Sequence, residues 1–309
     1  ATGLATLGLA VALGAHGYRQ QRLARHGAID VNGRQRTYRL HVPVAYDDER
    51  TWPLIVAMHG MFGAGAHIET YSGFNDLADE LGAFVVYPNA IGRRWEIGEE
   101  SRRQGLDDVV FIDELLSAIS RQYAIDRRRI FATGMSAGGM LCYVLAARLP
   151  HRIQAIAPVA AVAPMYATKR MRLQAAKPVL AINGDHDPVV RWDANPRLFQ
   201  VTGCSMLNVP ETISFLQVWH QITESPIVNY VPFGSHWNTS RVRHEMYRRV
   251  NGTAPLELYV VEGGSKQVTE LDLANGAHRV LATGLPVGTP VGIPALRLGG
   301  VGDMCGPMW

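Results

Sequence analysis

The residue in this chain whose setting most clearly suggests chemistry is Ser136. It stands in the run Ile130-Phe131-Ala132-Thr133-Gly134-Met135-Ser136-Ala137-Gly138-Gly139-Met140. This reads as a short apolar strand, then Gly-x-Ser-x-Gly, then the opening of a helix continued by Leu141, Val144, Leu145 and Arg148. So tight a strand-to-helix turn leaves no room for side chains at Gly134 and Gly138, and it holds the serine Oγ out at the end of the sheet. The helix that follows aims its first N–H groups at the point where negative charge develops on an attacked carbonyl. The implied chemistry is nucleophilic acyl transfer, with Ser136 as the nucleophile.

A serine hydroxyl is a weak nucleophile at neutral pH. It needs a base to take its proton and a third group to orient that base. On an elbow of this type the acid and then the base follow the serine along the chain. The acid is expected in Asn183-Gly184-Asp185-His186-Asp187-Pro188-Val189-Val190, directly after an apolar strand. Asp187 is the better carboxylate, because Pro188 fixes the turn and Val189 and Val190 would shield it; Asp185 is the alternative, its plain role being to cap the turn. An oxyanion site needs two converging backbone N–H groups. Ala137, next after the serine, supplies one; Met61, after the sharp turn allowed by His59-Gly60, supplies the other. His59 precedes the serine and lies in that loop, so a structural hydrogen bond suits it better than the role of base.

These groups must be carried by alternating strands and helices. Arg36 to Pro43 alternates like an edge strand, with Val31-Asn32-Gly33-Arg34 as a hairpin turn before it. Continuous apolar runs at Pro53–Met58, Ala83–Pro88, Ile153–Val159, Pro178–Ile182 and Leu256–Val261 suit buried parallel strands. Helices are expected over Asn75–Leu81, Asp107–Tyr123 and Glu211–Gln221. Alternation of this kind implies an α/β fold with a mostly parallel central sheet and helices on both faces. Each motif above follows a strand, so all converge beyond the carboxyl edge of the sheet.

The composition excludes other classes. The 309 residues suffice for one large α/β domain, and a hydrophobic content of 47% with 18% charged residues is ordinary for a globular protein. A net charge of +3 is too small to argue for nucleic acid or a membrane surface. The basic clusters, including Arg127-Arg128-Arg129, lack interleaved aromatic residues and read as solvated surface. Gly60, Gly63 and Gly65 do not make a dinucleotide pattern, and Cys142, Cys204 and Cys305 show no metal spacing. Cys142 reads as a small buried apolar residue, and a Cys204–Cys305 disulfide is conceivable in an exported protein. No metal or organic cofactor is expected.

The motifs together resemble the secreted esterase family that includes feruloyl esterases, acetylxylan esterases and poly(3-hydroxybutyrate) depolymerase-like enzymes. The matching segments are Tyr38–Pro43, Met58-His59-Gly60-Met61, Val85–Asn89, Asp107–Asp113, Gly134–Met140 and Gly184–Val190, within residues 30–192. The resemblance implies an α/β-hydrolase fold, Ser136 as nucleophile and Asp187 as acid. It also implies a histidine after the last strand, in a Gly-Gly-His-x-Trp-Pro-Gly segment. Here Glu262-Gly263-Gly264 is followed by Ser265-Lys266, and a second match falls at Asn275-Gly276-Ala277-His278. His278 is therefore the leading base, His236 in Gly234-Ser235-His236-Trp237 the outside candidate, and the lack of a competent base the third reading. His220 and His244 read as surface residues. By the same analogy Trp95, with His59 and Gly60, belongs to the substrate side of the cleft.

The expected organisation is residues 1–26 as an apolar export-signal remnant and linker, 27–280 as the catalytic domain, and 281–309 as an irregular Gly/Pro-rich tail. The apolar stretch Leu4–Ala15 is too short to span a bilayer, and the tail would also fit a reading frame shifted near Val280. The functional expectation is a secreted or periplasmic serine carboxylesterase acting on feruloyl, acetyl or short hydroxyalkanoate esters, small or polymer-linked. A non-catalytic hydrolase-fold protein and an acyltransferase or polyester depolymerase are the alternatives.

Overall fold

The computed structural model describes residues 25–98, 107–193, 198, 200, 202–231, 241–248 and 256–262. The notable expectations outside them are His278, His236, Lys266, Cys305, the Leu4–Ala15 stretch and the 281–309 tail.

Ten strands form one sheet: β1 Arg25–Val31, β2 Arg34–His41, β3 Trp52–Met58, β4 Phe84–Pro88, β5 Ile125–Met135, β6 Ala155–Val159, β7 Val179–Gly184, β8 Ile227–Val231, β9 Arg241–Tyr247 and β10 Leu256–Glu262. Their spatial order is β1-β2-β4-β3-β5-β6-β7-β10-β9-β8. The six central strands are mutually parallel, and an antiparallel hairpin closes each side. The central strands are the apolar runs of the sequence; every residue of β3, β4, β6 and β7 is buried.

Alternation along these strands splits the core into two layers. Leu54, Val56 and Met58 of β3 point to one face with Phe84 and Val86 of β4, whereas Ile55 and Ala57 point to the other with Val85 and Tyr87. The first face is covered by α3 Asp108–Gln122, α4 Ala137–Arg148, α5 Met165–Met171 and α6 Val209–His220; the second holds α1 Gly65–Ser72 and α2 Phe74–Leu81. Helix α4 is buried along nearly its whole length, from Ala137 to Ala147. Cys142 is fully buried there, and burial pushes its thiol far up, which leaves it inert, as a small apolar residue would be.

Three expectations need correction. The Arg36–Pro43 strand is not at the edge: β1 pairs outside β2, turning at Asn32 and Gly33 with φ of 54° and 75°. His220 is fully buried at the end of α6, on the face that packs inward. His244 is 4% exposed, because Arg241–Tyr247 is a strand. Its ring stacks on Tyr259 of β10 at 4.2 Å and its Nε2 lies 2.7 Å from Glu257 Oε2.

Candidate active site

At the carboxyl edge of the sheet the chain turns from β5 into α4 through Ser136, at φ 53° and ψ −117°. A serine occupies this region only where its surroundings over-determine it. The Ser136 N–H donates to Val159 O at 2.8 Å, and the Ser136 carbonyl accepts from Met140 N at 2.9 Å, which starts the helix. A Cβ on Gly134 would lie 2.6 Å from Met58 O and 2.7 Å from Gly138 C. One on Gly138 would run into Met58 O and come within 2.7 Å of His59 O. Both glycines are there for space: strand β3 passes too close for any side chain.

Asp187 lies three residues beyond β7 and is 8% exposed. Its Oδ1 accepts from the N–H groups of Val189 at 2.8 Å and Val190 at 2.9 Å, which fixes the carboxylate on the turn. Val190 is buried beside it, but Val189 is 56% exposed, so only one of the two valines shields the carboxylate. Asp185 does something different. Its N–H donates to Val261 O at 3.2 Å and its Oδ1 meets His186 Nδ1 at 2.7 Å. It therefore ties the turn to β10.

The loop after β3 brings Gly60 against the serine: a Cβ there would be 3.7 Å from Ser136 Cβ. Ala137, as the first residue of α4, has no carbonyl one turn back within the helix to take its N–H. Gly63 N–H closes the loop onto Gly60 O at 3.0 Å. Phe62 and Arg93 both adopt left-handed backbone, with φ of 61° and 59°, and face each other across two loops. Phe62 N–H donates to Arg93 O at 2.8 Å, and Arg93 Nε donates to Gly63 O at 3.2 Å.

His59 is 1% exposed and Trp95 5% exposed, with ring centroids 4.7 Å apart. The indole N–H of Trp95 donates to His59 O at 2.7 Å. His59 Nδ1 lies 2.6 Å from Gly60 O, and its Nε2 accepts from Ala90 N–H at 3.2 Å. Burial, aided by His67 and the Arg93 guanidinium and opposed by the bond to Gly60, holds the His59 pKa below the usual histidine value. Both rings are turned inward on the loop that carries Gly60 and Met61.

One support was not read from the sequence. Asp108, 2% exposed, takes Arg36 Nη2 at 2.5 Å and Glu96 N–H at 2.7 Å, and Arg36 also lies 3.8 Å over the Phe111 ring. This buried pair anchors the Ala90–Glu96 loop to β2 and α3. Only the Asp107-Asp108 step before an apolar helix hinted at it, and Arg36 is 72 residues away in sequence.

β10 pairs with β7 up to Val261 opposite Gly184, so its described end lies next to the Asp187 turn, and His278 follows it in sequence. His278 itself lies outside the described residues. His244 cannot reach Ser136, because β9 is four strand spacings from β5, about 19 Å.

A mostly parallel sheet with a serine elbow at its carboxyl edge is the α/β-hydrolase fold. The acetyl xylan esterase of Aspergillus awamori superposes with a TM-score of 0.60 over 84% of this chain and 98% of its own, at 14% identity, which shows the shared fold. A family profile described as esterase PHB depolymerase matches residues 36–209, more than half of the chain, and the chain belongs to that family. Among relatives, the poly(3-hydroxyalkanoate) depolymerase C of Paucimonas lemoignei is 26% identical over 251 residues, covering 74% of this chain and 57% of that protein. The bifunctional acetylxylan esterase/xylanase XynS20E of Neocallimastix patriciarum is 28% identical over 142 residues, covering 45% and 20%. The chain spans about half the length of most curated relatives it matches.

Proposed function

We propose that this chain is a serine carboxylesterase working through an acyl-enzyme. Ser136 Oγ attacks the ester carbonyl, His278 takes the hydroxyl proton and returns it to the leaving alcohol, and Asp187 orients the imidazolium. Water, deprotonated by the same histidine, then releases the acid and restores the serine. The N–H groups of Ala137 and Met61 receive the oxyanion. The observation that carries this reading is the strained backbone of Ser136, φ 53° and ψ −117°, held between β5 and α4 with Gly60 beside it. Strain of this sort is kept where it serves a site.

The names of the relatives point to feruloyl, acetyl or short hydroxyalkanoate esters as the acyl class. Among the described residues no helix is long and apolar enough to cross a membrane, and the apolar Leu4–Ala15 stretch favours a secreted or periplasmic setting. The test is turnover of p-nitrophenyl acetate and butyrate by the wild type beside Ser136→Ala and His278→Ala. Loss in both variants supports the assignment. A wild type no faster than Ser136→Ala would mean a hydrolase fold without its base.

A further inference from the structure

Gly60 and Met61 have little rigidity of their own: they lie on a loop whose one internal backbone–backbone bond among the described residues runs from Gly63 N–H to Gly60 O. Phe62 N–H and Gly63 O tie the far end of the loop to Arg93, and the His59 ring is what fastens the Gly60 end. A backbone N–H can only donate, so the Nε2 facing Ala90 N–H must be the bare nitrogen, and the proton sits on Nδ1 and is given to Gly60 O. One imidazole thus bridges the Gly60 peptide to the Ala90–Glu96 loop, which Asp108 and Arg36 anchor in the core. Trp95 closes the other side with its ring tilted against the imidazole and its indole N–H bonded to His59 O.

We propose that His59 is a positioning residue for the oxyanion site, and that it works only as the neutral Nδ1–H tautomer. This rests on the reading of Ser136 as nucleophile and Met61 N–H as oxyanion donor. Protonating Nε2 would set donor against donor at the Ala90 contact and open it. The joint then releases Gly60, and the Met61 N–H swings away from the developing charge. The groups facing the ring are Arg93 and His67, whose charges disfavour the proton, and the Trp95 ring. Burial acts in the same sense, so the neutral form persists below the ordinary histidine range and is lost in more acid solution.

Two protons then govern the acid limb of turnover: one on the general base and one on His59. Wild-type log kcat on p-nitrophenyl acetate should fall with a slope approaching two at low pH. His59→Ala should lower kcat by about 10- to 100-fold with KM within about twofold, since the interaction is made only in the transition state. His59→Gln keeps an acceptor for Ala90 but takes no proton. It should recover part of the loss, and its acid limb should fall with a slope of one. Should His59→Ala fail to fold, the glutamine variant carries the comparison.

Ring 15N spectra, with His59 identified by its loss in His59→Gln, should show a protonated Nδ1 and a bare Nε2 at pH 7, with proton uptake below the usual histidine range. An Nε2–H tautomer, or a His59→Ala variant with wild-type kcat and a slope of two, overturns the proposal. A wild type without turnover overturns the esterase reading and the catalytic part of this proposal with it. The ring spectrum in that case decides separately whether the joint exists.

Discussion

Gly134→Ala tests the geometry of the elbow without touching any group that does chemistry. The new Cβ would sit 2.6 Å from Met58 O, where ordinary contact begins near 3.4 Å, so about 0.8 Å of separation has to be found between two backbones. Neither can yield freely. Gly134 pairs with Met58 of β3 on one side and with Pro158 of β6 on the other. Overpacking of this kind costs about 1–3 kcal/mol. The shift is passed to Ser136 two residues on, and a misplacement approaching 1 Å at reacting atoms costs on the order of 100-fold in rate. Turnover of p-nitrophenyl butyrate should therefore fall roughly 100-fold, while denaturant unfolding shows a cooperative transition at a lower midpoint. Gly60→Ala is the contrast. Its Cβ would meet the end of the Met135 side chain at 3.3 Å, with Met135 O at 3.5 Å and Ser136 Cβ at 3.7 Å in ordinary contact, and its φ is outside the left-handed region. It should keep turnover to within about tenfold and stability to within about 1 kcal/mol, as substitutions without a backbone clash usually do. A Gly134→Ala protein with wild-type turnover and midpoint would refute the close-approach argument.

The two carboxylates after β7 should separate cleanly: Asp187→Ala should lower kcat by roughly 10⁴-fold, and Asp185→Ala should act mainly on thermal stability, both read by ester hydrolysis and a melting scan. His278→Ala should abolish turnover, whereas His244→Ala should leave kcat within a few-fold and cost about 1–2 kcal/mol from its stack on Tyr259 and its bond to Glu257. Asp107 caps α3 through Val109 and Val110 N–H and pairs with Arg148 of α4 at 2.7 Å. Asp107→Ala should cost about 1–3 kcal/mol in chemical denaturation. Burial pulls the Asp107 pKa up, but Arg148 and the two backbone bonds outweigh it, so the carboxyl titrates below its ordinary value. Its contribution is present above the unfolded pKa of about 3.9 and is lost as pH falls toward the folded one, so wild type and variant should converge in stability in strong acid.

The centre of this fold can be read directly from its sequence because parallel strands covered on both faces are apolar throughout. Pro53–Met58 and Pro178–Ile182 have few other readings. The far hairpin is harder. β9 carries Arg241, Arg243, His244 and Glu245, a composition that suggests a solvated surface. It forms a strand because its charges pair on and across strands, Arg243 with Glu245 at 2.8 Å and with Glu262 on β10. Such pairing is invisible until the register is known. The same holds for the site. The serine turn, the Asp187 turn and the His59-Gly60 loop each announce themselves within a few residues. The partners that set the His59 ring do not: Ala90 is 31 residues away and Trp95 36, and no local pattern connects them.

In this reading Ser136 is an activated nucleophile. That is tested most directly by exposing the folded protein to a fluorophosphonate and locating the added mass by peptide mass spectrometry. An activated Ser136 should give stoichiometric labelling on its peptide, loss of ester hydrolysis in step with it, and no labelling of Ser136→Ala. An unlabelled wild type, or one labelled equally at other serines and in Ser136→Ala, would contradict it.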